Sequence, residues 1–271
     1  MSPVLMGSQL ASMVAASPVM LGPMVNVPGG TFEMGSVVVE NESPVHEATL
    51  SAFHLMSSPV TQRQYVDFAN SLESWKHVVI SDQVGKTGVY ALATSHEEAH
   101  SVAERICREE EIGEGSLRTV TIEPFDDGAF NFADGPMTGK NWFEALAFAS
   151  LQGGKLNAGT LPTEWQLVCA AKLFLGSEDF HLKEVSGEWA LNRHGPYPEG
   201  AVEDPIGPTT ASPEFARSIM RLHRDSLRCR SQGRFPRPMV LWRDLAASHK
   251  SFSDVGFRVA WASRLAPRHA E

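Results

Sequence analysis

Six arginines lie within a short stretch near the end of the chain, and they are the side chains best suited to bind a charged ligand. They are Arg221, Arg224, Arg228, Arg230, Arg234 and Arg237, and they are interleaved with His223 and Phe235. Arginine binds phosphates and carboxylates through paired hydrogen bonds, so this stretch predicts a site for an anionic small molecule or an acidic peptide or protein. The alternative is that the arginines pair with carboxylates of the same chain.

The charge of the chain is divided unevenly. The 271 residues have a net formal charge of −9, with 23 Lys and Arg against 32 Asp and Glu. Residues 217–271 hold 12 of the basic residues and 4 of the acidic ones, a balance of +8, which leaves −17 for the rest. A nucleic acid partner is not expected, because this segment has the aromatic content of a core rather than of a basic tail. Its aromatic residues include Phe235, Trp242, Phe252, Phe257 and Trp261.

Histidine and cysteine offer weaker candidates for metal chemistry. His96 and His100 are four residues apart in a predicted helix, a spacing that can hold zinc. Because no third ligand is indicated and the helix is strongly acidic, a solvated surface is the favoured interpretation. The three cysteines, Cys107, Cys169 and Cys229, are widely spaced and form no C-x-x-C pair, which disfavours a disulfide framework and a zinc site.

Several classes of protein lack their sequence signals here. There is no glycine-rich phosphate loop, no G-x-S-x-G motif and no H-E-x-x-H motif. The apolar N-terminal stretch has no Lys or Arg before Arg63 and is interrupted by Pro18 and Pro23. It therefore predicts neither a targeting signal nor a membrane span, and we expect a cytoplasmic protein.

Four helices are predicted from capping boxes, in which a polar residue precedes a Glu or Gln by three positions. The pairs are Thr61 with Gln64, Ser95 with Glu98, Asn141 with Glu144, and Thr163 with Gln166. The first helix has its apolar stripe at Tyr65, Phe68, Ala69 and Leu72, and the last should bury Trp165, Leu167, Val168 and Leu173. Strands are predicted over 31–34, 48–56 and 255–261.

The elements together describe a loop-rich α+β domain. The prolines between Pro196 and Pro238 exclude long helices from the second half of the chain. We expect an apolar leader or docking arm over residues 1–24, a single domain over 25–262 and a tail over 263–271.

Short segments in a fixed order carry a further signal. They are Val27–Ser36, Glu42–His46, Ser58–Phe68, Asn141–Ala145, Leu161–Trp165, Gly187–Trp189 and Gly256–Ala260. Their order and spacing resemble the formylglycine-generating enzyme or sulfatase-modifying-factor domain family. The resemblance implies a variant of the C-type-lectin-like fold. An insertion over about residues 75–132 lies outside these segments, and a partner surface or a lid is expected there.

The resemblance also implies where chemistry would take place. In that family, two nearby cysteines support a copper-assisted oxidation of a substrate cysteine. At the corresponding positions this sequence has Arg221 and Ser226, with Cys229 three residues later. One thiol does not make the two-thiolate site that suits Cu(I), so copper and formylglycine-generating activity are not expected. His223 with Cys229 is a weaker, mixed ligand pair.

The calcium-binding segment of the family is altered as well. Only Glu188 and Trp189 remain from its end, and an asparagine ligand is missing. Because calcium binds several hard oxygen ligands, Asp179, Glu184 and Glu188 are weak calcium candidates.

Two functions stay open from the sequence. The first is a non-catalytic ligand- or peptide-binding, regulatory member of the fold, a pseudoenzyme with a basic groove. Its ligand-binding residues would be Arg221, His223, Arg224, Ser226, Arg228 and Cys229. The alternative is a metal-dependent oxidase of altered chemistry, acting on a protein side chain or a biosynthetic intermediate. The metal content of the protein distinguishes the two.

Overall fold

The computed structural model describes residues 5–6, 21–37, 39–113, 115–123, 133–152, 157, 159–174, 177, 180–181, 185, 187–208, 216–222 and 241–262. The helices are α1 (Gln62–Ser71), α2 (His96–Glu109), α3 (Trp142–Ser150) and α4 (Glu164–Phe174), with a short 3-10 helix at Glu40–Glu42. The strands are β1 (Leu5–Met6), β2 (Met24–Val27), β3 (Gly30–Met34), β4 (His46–Leu50), β5 (Phe53–Met56), β6 (His77–Ser81), β7 (Gly88–Ala93), β8 (Leu117–Thr121), β9 (Gly159–Thr160), β10 (Gly187–Arg193), β11 (Val202–Glu203), β12 (Ala216–Leu222), β13 (Leu241–Ala247), β14 (Val255–Gly256) and β15 (Ala260–Ala262).

The strands form four small sheets, which confirms the predicted α+β class. Their orders are β2-β5-β15-β9, β11-β4-β3, β13-β12-β10-β14 and β1-β7-β6-β8. Among the described strands, only β10 with β14 and β4 with β11 pair in parallel. Two large apolar clusters join the sheets to α1, α3 and α4. No helix within the described ranges is long and apolar enough to cross a membrane.

All four predicted helices are present, and their N-terminal caps show why. The Thr61 hydroxyl accepts from the Gln64 N–H at 3.3 Å, while the Gln64 side chain accepts from the Thr61 N–H at 2.8 Å. Asn141 with Glu144 and Thr163 with Gln166 repeat this exchange. The helix α2 differs, because the Glu98 carboxylate accepts from Thr94 instead of Ser95.

The burial of α4 follows the prediction except at its end. Trp165 and Leu167 are buried and Val168 is half-buried, but Leu173 is 54% exposed, so its predicted burial is wrong. The side chain that meets β3 at this last turn is Lys172, whose ammonium lies 5.2 Å from the centre of the Phe32 ring.

The predicted strand over 48–56 is two strands, β4 and β5. Between them the Asp204 carboxylate accepts from both the N–H and the hydroxyl of Ser51, each at 2.7 Å, which turns the chain. Gly29 lies against the same turn, where a Cβ would come within 2.6 Å of the Leu50 carbonyl oxygen. A side chain at Gly29 would therefore displace backbone.

The stretch over 255–261 is likewise broken, into β14 and β15. Between these strands Arg258 turns fully into the core. The neighbouring backbone carbonyls bond to the end of β5 and to the segment that follows it, where Val259 accepts from Met56 and Phe257 accepts from Val60. The strand is interrupted at residues 257–259, so alternation in the sequence overestimated its length.

The insertion after α1 forms a ββαβ layer made of β6, β7, α2 and β8. One face of its sheet packs on α2, through a cluster that includes Val79, Ala91 and Val102. The other face joins the main core through Val78 and Leu92, among others. Because both faces are buried, this layer is part of the fold.

The outer edge of β7 is covered at two places. The backbone of Leu5 and Met6 pairs with Leu92 and Ala91, so these two residues form the neighbouring strand of β7. Further along, the Asn157 side chain accepts from the N–H of Val89 at 2.9 Å and donates to its carbonyl at 3.0 Å.

Candidate functional site

The arginine stretch begins at the end of the antiparallel pair β12 and β13. Leu222 and Leu241 are opposite each other in the register, so residues 223–240 leave and return at the same end of this sheet. The backbone of Arg221 lies between Gly187 of β10 and Trp242 of β13. The side chain of Arg221, and His223, Arg224, Ser226, Arg228 and Cys229, lie outside what the structure describes.

The described residues near this end of the sheet make a firm support. The Gly187 N–H donates to the Asp254 carbonyl at 3.2 Å, which joins β10 to the turn before β14. The Trp189 indole donates to the Lys140 carbonyl at 3.0 Å, and its ring lies 6.0 Å from that of Phe252. Through these contacts β10, which pairs with β12, is attached to the residues that lead into α3 and to the C-terminal segment.

Lys140 belongs to a largely buried charged group at the start of α3. Its ammonium lies 3.1 Å from the Glu144 carboxylate and 4.6 Å from the centre of the Tyr65 ring. Burial, followed by the Glu144 charge, raises the pKa of Tyr65 well above its ordinary value. Tyr65 therefore remains a neutral donor to Glu144.

Glu188, which neighbours the Arg221 strand, forms a buried ion pair with Arg258. The Arg258 Nε donates to one Glu188 oxygen at 2.6 Å and Nη2 donates to the other at 2.5 Å. The remaining guanidinium donors reach the carbonyls of Met56, Ser57 and His181. All five N–H groups of the guanidinium are used.

This ion pair bears on the calcium candidates. Both oxygens of Glu188 are occupied by Arg258, while Asp179 and Glu184 lie outside the described residues. Among the residues that the structure describes, no group of three or more His, Cys, Asp or Glu side chains could hold a metal ion. A calcium site at Glu188 would need ligands from elsewhere.

A second buried hydrogen-bond network, which the sequence did not reveal, holds β12 in place. Glu164, the first residue of α4, accepts from the Tyr197 hydroxyl at 3.2 Å, from the Ser218 hydroxyl at 3.3 Å and from the Asn192 amide. The Asn192 oxygen in turn accepts from the Glu164 N–H at 2.8 Å. One carboxylate thus connects α4, β10 and β12. In the sequence, the position of Glu164 at the start of a capped helix is the only signal that points to this network.

The thiols do not form a pair in the described part of the chain. Cys169 is buried in α4, where burial raises the pKa of its thiol despite nearby Lys172. Cys107 lies on α2, in the separate ββαβ layer, and both thiols are free. No second cysteine lies near Cys229 in the sequence to complete the pair of thiolates that suits Cu(I).

The two histidines of α2 do not act together. The His100 ring pairs with Glu104 at 3.9 Å, whereas the His96 ring faces His77 of β6, with 6.4 Å between ring centres. Burial, His96 and Lys76 lower the pKa of His77, in that order of size, and Glu123 opposes them. Sequence spacing could not find His77, because it lies on another element.

Comparison with known proteins gives one family. The model of the sulfatase-modifying factor enzyme 1-like domain matches residues 11–223. The formylglycine-generating enzyme of Mycobacterium tuberculosis (strain ATCC 25618 / H37Rv) is 35% identical over 72 residues, which are 26% of this chain and 23% of the relative. The matched stretch is thus less than a quarter of that relative's length.

One of two similar solved structures supports the fold, at low sequence identity. PvdO from Pseudomonas aeruginosa superposes with a TM-score of 0.53 at 14% identity, over 89% of this chain and 94% of that one. Treponema denticola variable protein 1 has a TM-score of 0.49 at 14% identity, over 88% and 94% of the two chains. The likeness to PvdO is one of fold.

Proposed function

Because the chain belongs to the family of sulfatase-modifying factor enzyme 1-like domains, we propose that it is a binding or regulatory member, which holds an anionic ligand at the loop between β12 and β13. The single observation behind this proposal is that arginines occupy the stretch where the family resemblance requires a cysteine pair. Arg221 and Ser226 stand at the two positions, and Arg224 and Arg228 lie beside them.

The chemistry of these residues supports anion binding. A guanidinium remains charged at any physiological pH and recognises carboxylate or phosphate through two parallel hydrogen bonds. A single thiol, Cys229, cannot supply the pair of soft ligands that Cu(I) prefers. The loop therefore has the groups for recognition and lacks those for the oxidation.

One carboxylate close to the Arg221 strand already has a partner. Glu188 lies opposite Met220, the residue before Arg221, and both of its carboxylate oxygens accept hydrogen bonds from Arg258. It does not neutralise the arginines of the loop. An external carboxylate or phosphate is a better partner for them than this buried side chain.

A binding experiment tests the proposal directly. Thermal unfolding of the full chain is measured with pyrophosphate, citrate and an oligoglutamate peptide, for the wild type and for Arg221→Ala/Arg224→Ala. We expect at least one anion to raise the Tm of the wild type, and the double variant to bind it at least tenfold more weakly, because charge-assisted contacts are worth about 1.5–3 kcal/mol each.

The matched control is Arg63→Ala, which removes an exposed arginine that pairs with Asp134 at 3.4 Å. This variant should respond to the anion as the wild type does, since it removes an arginine charge at a different location. No stabilisation by any of the three probes, or an equal response of all the proteins, would contradict the proposal.

The alternative function, a metal-dependent oxidase of altered chemistry, is favoured by the local identity to a formylglycine-generating enzyme. Metal analysis of the purified protein separates the two. A stoichiometric transition metal that is lost on Cys229→Ser, together with oxygen consumption, would support the oxidase and would count against a purely binding role.

A further inference from the structure

We propose that His77 and His96 form a binding site for a divalent transition metal ion of the Cu(II), Ni(II) or Zn(II) class. His77 is the first residue of β6 and His96 is the first residue of α2, so the two rings meet at one end of the ββαβ layer. Imidazole is a good ligand for all three ions.

The distance between the rings suits a shared ion. The ring centres are 6.4 Å apart and the ring planes cross at 70°. A metal–imidazole bond is about 2.0–2.1 Å long. The distance from each bound nitrogen to the centre of its ring adds to this length, so the ring centres around a shared ion are several ångströms apart. Small rotations of the exposed His96 side chain adjust the angle without moving backbone.

The hydrogen bonding of His77 prepares it as a ligand. Its Nδ1 lies 3.1 Å from the Thr121 hydroxyl of β8, which leaves Nε2 as the nitrogen available for a metal. Metal-binding histidines characteristically use their second nitrogen in this way, because the hydrogen bond fixes the orientation of the ring. Thr121 is thus a positioning residue for His77.

The side chains that flank His77 carry opposite charges. Lys76 and Glu123 flank His77, and they form an ion pair with each other at 2.7 Å. His77 is half-buried and His96 is exposed, so an ion can enter from solvent and water can fill the remaining coordination positions.

The same helix provides a control. His100 lies one turn beyond His96, but its side chain is 72% exposed and faces Glu104 at 3.9 Å. It shares the helix, the residue type and the exposure, while lacking a second imidazole. A site formed by His77 and His96 should not depend on it.

A bound ion would connect β6 to α2 and would stabilise the layer they belong to. Because the ligands lie outside the loop between β12 and β13, this inference stands apart from the proposed anion site. Ni(II) is a suitable probe, since it does not oxidise thiols as Cu(II) can.

The experiment titrates Ni(II) into the full chain by calorimetry, for the wild type and for His77→Gln, His96→Gln, His100→Gln and Thr121→Val. We expect the first two variants to bind at least about tenfold more weakly, and His100→Gln to bind as the wild type does. Thr121→Val should bind about 10-fold more weakly or worse while keeping the site, because loss of an outer-shell partner typically costs 10- to 100-fold.

Two further measurements complete the test. Ni(II) should raise the Tm of the wild type and of His100→Gln, but not of His77→Gln. Electron paramagnetic resonance of the Cu(II) form should show two imidazole nitrogens in the wild type and one in each of the single variants. Equal binding by wild type and His77→Gln, or an equal loss in His100→Gln, would overturn the proposal, and so would no binding.

Discussion

Arg258 shows how one side chain can hold distant segments together. It is fully buried and donates to Glu188, to the Met56 and Ser57 carbonyls at the end of β5 and to the His181 carbonyl. Its guanidinium also lies 4.7 Å from the centre of the Phe180 ring. A charge this deep is tolerated because every donor has an acceptor and a carboxylate balances it.

We predict that Glu188→Gln lowers the free energy of unfolding by about 3–5 kcal/mol, because it leaves the Arg258 charge buried without a counter-charge. A denaturant titration measures the loss. The control is Asp134→Asn, which removes the carboxylate of an exposed pair with Arg63 and should cost no more than about 1 kcal/mol. Equal, small losses in both proteins would mean that Arg258 is supported by its carbonyl contacts alone.

The partners of Arg258 could not be predicted from the sequence. Planar guanidinium donors suit carbonyls and carboxylates, and the structure has both. Nothing in the sequence indicated that Glu188 would be the carboxylate, since 70 residues separate the two. The pairing of His77 with His96 was hidden for the same reason.

Among the elements, α4 connects most of the fold. Its first residue, Glu164, binds side chains of β10 and β12, and its second, Trp165, donates its indole N–H to the His46 ring of β4 at 3.0 Å. The helix thereby joins the sheet that carries the basic loop to the sheet of β3 and β4.

We predict that Trp165→Ala destabilises the protein by about 3–5 kcal/mol, the range for deleting a large buried aromatic side chain. Leu173→Ala, on the same helix, should change stability by no more than about 0.5 kcal/mol, because Leu173 is exposed. Chemical denaturation of the two variants beside the wild type makes the comparison. A loss below about 1 kcal/mol for Trp165→Ala would show that α4 is peripheral.

Helices were predictable here and strands were less so. The start of each helix depends on residues three positions apart, so a capping box contains its own evidence. The break after β4 depends on Asp204, which lies far along the chain. The break after β14 depends on Arg258, whose partners are distant in sequence. β10, β12 and β13 were not foreseen, because Pro-rich segments between them obscured the alternation.

For the molecule as a whole, the family was predictable and the site was not. The ordered short segments predicted the sulfatase-modifying-factor family, and the match over residues 11–223 confirms it. They could not predict a ligand site, because the conformation of a connecting segment depends on contacts that sequence spacing does not encode.

The sequence around Cys229 makes a prediction about the whole protein. Incubated with copper, oxygen and a sulfatase-type peptide, the protein should not convert the peptide cysteine to formylglycine, because no second cysteine lies near Cys229 in the sequence. Mass spectrometry of the peptide measures the outcome, and a formylglycine-generating enzyme serves as the positive control. Loss of the thiol mass with formation of an aldehyde would contradict the interpretation of Arg221 and Ser226.

The covered edge of β7 has a consequence for how copies of the chain behave in solution. An open edge strand presents unpaired N–H and C=O groups that can recruit a strand from another molecule and begin aggregation. The arm at Leu5 and Met6 occupies Leu92 and Ala91, and Asn157 occupies Val89, so such recruitment is blocked along most of the strand. We therefore expect removal of Leu5 and Met6 to increase the tendency of copies of the chain to associate through this edge.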